Sequence, residues 1–258
     1  MKFITDTEEQ KRLLDSPDYY IGEYHETIPA ELTFDVDKVS VTLDSGIEVT
    51  DKLPHIRDLD RCQVSLLKSL KNTIITGELL IPRVPIDDME YILNHRDSVS
   101  MQEKRGKFYV RANDIRYFRG IKLERMPFHR RRKYLHRVTE QLQSSYIREK
   151  EMHKDGVPST EEMYSYITKR TSIIEHDYPV MADDFYYNCD TEYDDNYEND
   201  GYDYGEDRRA FTLSYRGYYE YLCLRGNRQG VILRHKDGKY GDECFVIECG
   251  LKNNLKTY

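Results

Sequence analysis

The sequence predicts an α+β domain of antiparallel sheets with flanking helices, interrupted by one acidic insertion. Short runs of apolar residues alternate at period two, as half-buried strands do, and other runs recur at helical spacing. Hydrophobic residues are 38% and charged residues 33% of 258, enough apolar content to build a core and to exclude a wholly disordered chain. One stretch, residues 177–207, stands apart: twelve acidic residues, seven Tyr and no Lys or Arg. Like charges without aliphatic residues do not collapse, so this segment is read as a mobile insertion in a single domain spanning 1–258.

The elements follow in order. Thr7-Glu8-Glu9-Gln10 has the form of a capping box and opens a short helix carrying Leu13 and Leu14. Leu32, Phe34 and Val36 alternate with polar residues, as do Val39, Val41 and Leu43, but the two sets are out of phase. A bulge or tight turn at Asp37-Lys38 returns both to one core. Val64, Leu67 and Leu70 have helical spacing, and residues 74–81 read as a buried strand interrupted by Gly77-Glu78. Pro82 and Pro85 close that strand before a short helix over 86–93. Residues 108–118 are strand-like between Gly106 and Gly120, and Leu135, Val138, Leu142 and Tyr146 mark a long helix. After the insertion come a helix over 215–224 and strands over 230–234 and 244–248, joined by a turn at Lys236-Asp237-Gly238-Lys239.

Charge and cysteine narrow the function classes. The net charge of −8 belongs to the insertion: the remaining residues hold all 39 Lys and Arg against 35 of the 47 acids, a body of net +4. Residues 119–137 concentrate Arg119, Lys122, Arg125, Arg130, Arg131, Arg132, Lys133 and Arg137 against Glu124 alone, a footprint of phosphate contact or a solvated helix face. Cys62, Cys189, Cys223, Cys244 and Cys249 are odd in number and lack the Cys-x-x-Cys pairing of a zinc site. No apolar stretch reaches membrane-spanning length and the N-terminus turns acidic at Asp6, so a cytosolic protein with no membrane partner is expected.

Three segments carry a resemblance. They are Gly77-Glu78-Leu79-Leu80, then Asp114-Ile115-Arg116-Tyr117-Phe118-Arg119-Gly120 with Met126-Pro127-Phe128-His129-Arg130-Arg131-Arg132, then Gln229-Gly230-Val231-Ile232-Leu233-Arg234-His235-Lys236-Asp237-Gly238-Lys239-Tyr240. In this order they resemble motifs III, IIIa and IV of the covalent nucleotidyltransferases, most of all the ATP-dependent DNA ligases of small viral and phage type. The resemblance covers residues 20–258 apart from the insertion. It implies an ATP-grasp-like domain of two packed antiparallel sheets with the nucleotide between them. It also implies a lysine nucleophile, a carboxylate-held divalent metal, a ring stacked on the purine and cations on the transferring phosphate.

Each implied role maps onto one position. The first motif, Lys-x-Asp-Gly preceded by Glu and followed by Arg, matches Glu31-Leu32-Thr33-Phe34-Asp35-Val36-Asp37-Lys38, 45 residues before Glu78 in the count from Thr33. Thr33 therefore stands at the nucleophile position and Lys38 at the arginine, and a threonine cannot form the lysyl phosphoramidate. The next element matches Leu43-Asp44-Ser45-Gly46, with Asp44 where an arginine belongs. Asn113 replaces the stacking aromatic and Gln229 a metal-binding glutamate, while Arg234 remains. Thr76-Gly77-Glu78 keeps one carboxylate, so Glu78 is the weak metal candidate. The last motif matches Asn254-Leu255-Lys256, one lysine of two.

Turn-shaping positions are thus kept while chemical ones change. The expectation is a pseudoenzyme with no catalytic residue, and with no cofactor unless the vestigial pocket still takes ATP and Mg. It would bind nucleic acid through Arg119, Arg125, Arg130, Arg131, Arg132 and Lys133, or a basic protein partner through the insertion. The alternative is an active polynucleotide ligase or capping-type nucleotidyltransferase with an unconventional nucleophile, Lys38 being the nearest lysine. Because the sequence ends at Tyr258, no OB-fold domain is expected.

Overall fold

The computed structural model describes residues 1–59, 64–158, 163, 212–225 and 229–249. The insertion over 177–207, Asn254 and Lys256 of the last motif, and Cys62 and Cys189 lie outside the described residues.

The chain opens with β1 (Lys2–Phe3), α1 (Thr7–Leu14) and β2 (Tyr19–Tyr24). The cap of α1 falls one residue earlier than the capping box suggests: the Asp6 carboxylate, not the Thr7 hydroxyl, accepts the Glu9 amide at 2.8 Å. Next come β3 (Ile28–Phe34) and β4 (Val39–Leu43), the two alternating runs. Their phase change is a tight turn over 35–38 closed by the Asp35 amide donating to the Lys38 carbonyl at 2.9 Å, and Val36 belongs to the turn. Leu32, Phe34, Val39 and Val41 are then all buried on one side.

Short helices α2 (Pro54–Arg57) and α3 (Val64–Leu70) lead to β5 (Thr73–Leu80), then to α4 (Ile86–Asn94) and α5 (Ser98–Arg105). The strand β6 (Tyr109–Phe118) turns into β7 (Ile121–Lys122) through Arg119-Gly120, both at positive φ (53° and 81°), the conformation a two-residue hairpin favours. The long helix is α6 (Phe128–Leu142); Tyr146 lies beyond it, before β8 (Ile147–Glu149). The described remainder is β9 (Val157–Pro158), β10 (Thr212–Leu213), α7 (Tyr215–Arg225), β11 (Gly230–His235) and β12 (Cys244–Glu248).

These strands make two main sheets. The larger runs β4-β3-β5-β6-β7 with β8 added in parallel to β6, and the smaller runs β1-β12-β11-β2; β9 and β10 form a separate pair. Pairing is antiparallel except for β1 with β12 and β8 with β6. The α+β expectation with antiparallel sheets and flanking helices is therefore met.

Each sheet has its own core on its outer face. Under the larger sheet Leu32, Phe34, Ile75, Leu79 and Val110 meet Ile92 of α4 and Leu135, Val138 and Leu142 of α6. Under the smaller sheet Ile21, Val231, Leu233 and Ile247 meet Leu13 of α1 and Tyr218 and Leu222 of α7. Each fully buried aliphatic or phenyl side chain contributes about 1.5–3 kcal/mol, so these faces hold the sheets. The inner faces look toward each other, with Tyr24, Ile232 and Val246 as a small apolar cluster on the smaller sheet. Gly230 lets β11 approach β12: its φ is 151°, and a Cβ there would stand 2.1 Å from the Ile247 carbonyl oxygen.

Candidate functional site

Between the inner faces lies a cavity of about 460 Å³, within the range of small-ligand sites. Pro29, Gly77, Glu78 and Asn113 line it from the larger sheet and Tyr24, Ile232 and Arg234 from the smaller, with Lys150 also on its wall. Glu26, Asp87 and Glu90 stand at exposed positions around it.

Two irregularities of β6 build this wall. Against β5 the register skips Asn113, between Thr76↔Asp114 and Gly77↔Ala112, and skips Arg116, between Ile75↔Ile115 and Ile74↔Tyr117. A bulge re-aims the side chains beside it. Asn113 reaches the cavity, where its Oδ1 accepts the Thr76 hydroxyl at 3.2 Å, and Arg116 reaches Glu31.

Glu78 sits in β5 opposite Pro29, and both its oxygens are engaged: Lys150 Nζ donates to Oε1 at 2.6 Å and Arg111 Nη2 to Oε2 at 2.8 Å. Burial alone would raise the Glu78 pKa; the two cations outweigh it and hold the carboxyl below the usual glutamate range. Burial likewise pushes the Lys150 ammonium below the usual lysine range, against the pull of Glu78.

Asp114 is the second buried carboxylate. Its Oδ1 accepts the Ile115 amide at 2.8 Å and Arg131 Nε at 2.9 Å, and its Oδ2 faces Arg131 Nη2 at 2.9 Å and Arg234 Nη2 at 3.0 Å. Arg131 also donates to the carbonyls of Met126 and Gly238, and Arg234 lies over the Phe128 ring at 4.5 Å. The segments resembling motifs IIIa and IV are thus bound to each other through one carboxylate.

A third cluster covers the same sheet face beyond the cavity. Arg116 Nη1 meets Glu31 at 2.6 Å and Nη2 meets Glu124 at 3.1 Å, while the guanidinium lies 5.3 Å from the Tyr240 ring centre. Burial pushes the Tyr240 phenol above the usual tyrosine range, against the pull of Arg116. Salt links and a phenol fill this ground.

The vestigial pocket residues divide accordingly. Glu78, Asn113 and Arg234 line the cavity. Thr33 does not: it pairs with Ser40 and Ile74, four residues along β3 from Pro29, about 13 Å at the rise of a strand. Asp35 and Lys38 are exposed in the hairpin turn and Glu31 is tied to Arg116. Gln229 is exposed too, its amide joined to Glu26 by a 3.1 Å bond from Nε2 and by the Glu26 backbone N–H donated to Oε1.

The proposed nucleic-acid residues also divide. Arg119, Arg125, Arg130 and Lys133 are exposed. Arg131 is a correction: it is 0% exposed, because it shares the inward stripe of α6 with Leu135, Val138 and Leu142. Arg132 is mostly withdrawn as well, 2.5 Å from Glu149 and stacked over Tyr20.

Sequence reasoning missed Lys150 and Arg111. Lys150 follows a three-residue strand with no period to read, and its partner is 72 residues away. For Arg111 the signal was its place in β6 facing Glu78 in β5, legible once two strands are paired.

ATP and a divalent metal are what the sequence resemblance implies, and the two buried carboxylates do not fit a metal. All four oxygens of Glu78 and Asp114 already meet cations, Gln229 carries no charge, and no group of three or more His, Cys, Asp or Glu among the described residues is placed to hold one.

No family model matches the sequence, and no curated protein matches it. Solved structures do. The ATP-dependent DNA ligase of bacteriophage T7, in complex with ATP, superposes with a TM-score of 0.52 at 12% identity over 96% of this chain and 67% of that one. Mycobacterial DNA ligase D, complexed with ATP and MES, gives 0.50 at 14% identity over 89% of this chain and 54% of that one. The chain thus spans about half the length of the mycobacterial structure. Two packed sheets with a cleft between them and helices outside make up the described fold. That fold is the one found in ATP-dependent DNA ligases.

Proposed function

We propose that this chain is a ligase-like nucleotidyltransferase domain that has lost covalent nucleotidyl transfer and acts by binding, with nucleic acid as its partner. The observation that carries the reading is the cleft itself. The motif spacing matches Thr33 to the lysine, but Thr33 lies away from the cavity, so the support comes from the buried carboxylates: Glu78 and Asp114 are both held by the protein's own cations. A metal-bound phosphate would find neither buried carboxylate free.

Exposed Arg119, Arg125, Arg130 and Lys133 supply the surface for a phosphate backbone, and the T7 and mycobacterial neighbours are DNA ligases by name. Gel-shift titration against nicked, duplex and single-stranded substrates at several salt concentrations is the test. Affinity should fall steeply with salt; absence of salt-sensitive binding to all three would reject this partner. The acidic segment 177–207 supports a second binding role, docking on a basic protein, and deleting it should abolish recovery of such a partner in a pull-down. Neither role needs a membrane; we place the protein in the cytosol, in keeping with the absence among the described residues of any helix long and apolar enough to cross one.

One observation favours the active reading. Lys150 is a buried lysine on the cavity wall whose ammonium is held below the usual range, whereas Lys38 is exposed in a turn. Lys150, rather than Lys38, would then be the unconventional nucleophile, and covalent labelling decides between the readings.

A further inference from the structure

The basic run is interleaved with aromatic side chains that phosphate contact alone does not explain. On α6, Arg130, Lys133, Tyr134 and Arg137 recur at the spacing of one helix face, turned away from Leu135, Val138 and Leu142. On the neighbouring hairpin, Phe118 of β6 and Ile121 of β7 are cross-strand partners, so both side chains leave the same face of the ribbon. Tyr134 joins the two elements: its ring lies 5.2 Å from that of Phe118, and both residues are partly exposed. Ile121 is 62% exposed, and beside the two rings it extends an apolar strip instead of standing alone on the surface. Two guanidiniums lie on the rings, Arg119 at 5.0 Å from the centre of Phe118 and Arg137 at 5.8 Å from that of Tyr134. Arg119, Arg130, Lys133 and Arg137 make no ion pair among the described residues. Of the acids from β6 to the end of α6, Asp114 is buried on Arg131 and Arg234, Glu124 is held by Lys122 and Arg116, and Glu140 stands in the last turn of the helix. The face is left with a surplus of positive charge.

Cations by themselves suit any phosphate backbone. Rings overlaid by guanidiniums suit a base as well, because bases stack on aromatic and guanidinium planes, whereas a duplex keeps its base faces stacked inside. We propose that this face, from Ile121 through Phe118 and Tyr134 to the exposed stripe of α6, binds single-stranded nucleic acid. Unpaired bases stack on Arg119 with Phe118 and on Arg137 with Tyr134, and Arg130 and Lys133 hold phosphates. The proposal rests on the nucleic-acid reading of this protein and narrows the partner to a strand with unpaired bases.

Fluorescence anisotropy of the full chain with four labelled probes tests it: oligothymidylate, an abasic strand of the same length, a blunt duplex of that length, and oligouridylate. Oligothymidylate should bind about fivefold or more tighter than the abasic strand, which carries the same charge and no base to stack, and tighter than the duplex at equal salt. The ratio of oligouridylate to oligothymidylate affinity then assigns the face to RNA, to DNA or to both, and each of these supports the site. Tyr134→Leu, which keeps an apolar side chain against the core, should weaken oligothymidylate binding about fivefold or more and leave its salt slope unchanged, because no phosphate contact is lost. Ile121→Gln, at an exposed position, should weaken it in the same way. The probe comparison uses the unaltered protein, so the test stands even if Tyr134→Leu fails to fold. Equal binding of the abasic and thymidine strands, tighter binding of the duplex, or unchanged affinity in a folded Tyr134→Leu variant would overturn the proposal and leave the nucleic-acid reading intact. Absence of salt-sensitive binding to every probe would reject both.

Discussion

Asp114 shows what a single side chain does here. In the sequence it reads as a turn-shaping member of a motif; in the structure it is 1% exposed and binds α6 and β11 to β6 through Arg131 and Arg234. Removing one partner of a buried pair leaves the other charge uncompensated, so Asp114→Ala should lower stability by about 3–5 kcal/mol in urea unfolding. Arg130→Ala, in the same basic run but exposed, should stay within about 0.5 kcal/mol. Similar losses from the two would mean that the Asp114 network is not formed.

Tyr215 gives a pH test at the same scale. Its hydroxyl donates to the Tyr19 carbonyl at 2.8 Å and accepts the Asp155 amide at 3.0 Å, and burial pushes its pKa up to about 12. In the unfolded chain a tyrosine ionises near pH ~10. Between these values the unfolded state releases its proton first, so stability present at neutral pH declines as pH rises through this window. Tyr215→Phe should lessen that slope, to which Tyr24, Tyr109 and Tyr240, also raised by burial, contribute, and cost about 1–3 kcal/mol at neutral pH, by leaving polar backbone groups without a partner. An unchanged alkaline slope in the variant would contradict the assignment.

Among the elements, the long periodic ones were legible in the sequence. The runs that became β3, β4, β5, α4 and α6 show their period because each buries one face over several residues. The strands β1, β8, β9 and β10 have two or three residues and no period, and they exist through pairing with distant partners. β2 was missed although its aromatic and β-branched content is a strand signal. The bulges of β6 were invisible for a different reason. They are defined only against β5, and they place Asn113 and Arg116 on the inner face. The basic run of α6 was legible as charge but not as exposure: turning about 100° per residue sends Arg131 inward and Arg130 and Lys133 outward. The double substitution Arg130→Glu with Lys133→Glu should therefore weaken DNA binding and reduce its salt slope by about one for each side chain, with stability nearly unchanged. An unaltered slope would remove this helix from the interface.

For the whole molecule, the two-sheet architecture and the order of its motifs were readable, because turns and core faces keep their pattern when chemistry changes. The state of the cleft was not readable. It depends on Lys150 meeting Glu78 across 72 residues and Arg234 meeting Asp114 across two sheets, contacts that only the assembled fold brings together. The central claim is that this cleft no longer forms a covalent nucleotide adduct, and the most direct measurement is incubation with α-labelled ATP or GTP and magnesium or manganese, followed by denaturing electrophoresis. The account predicts no label on the protein, with or without added nicked DNA. An acid-labile label that disappears in a folded Lys150→Met variant would contradict it and identify Lys150 as the nucleophile.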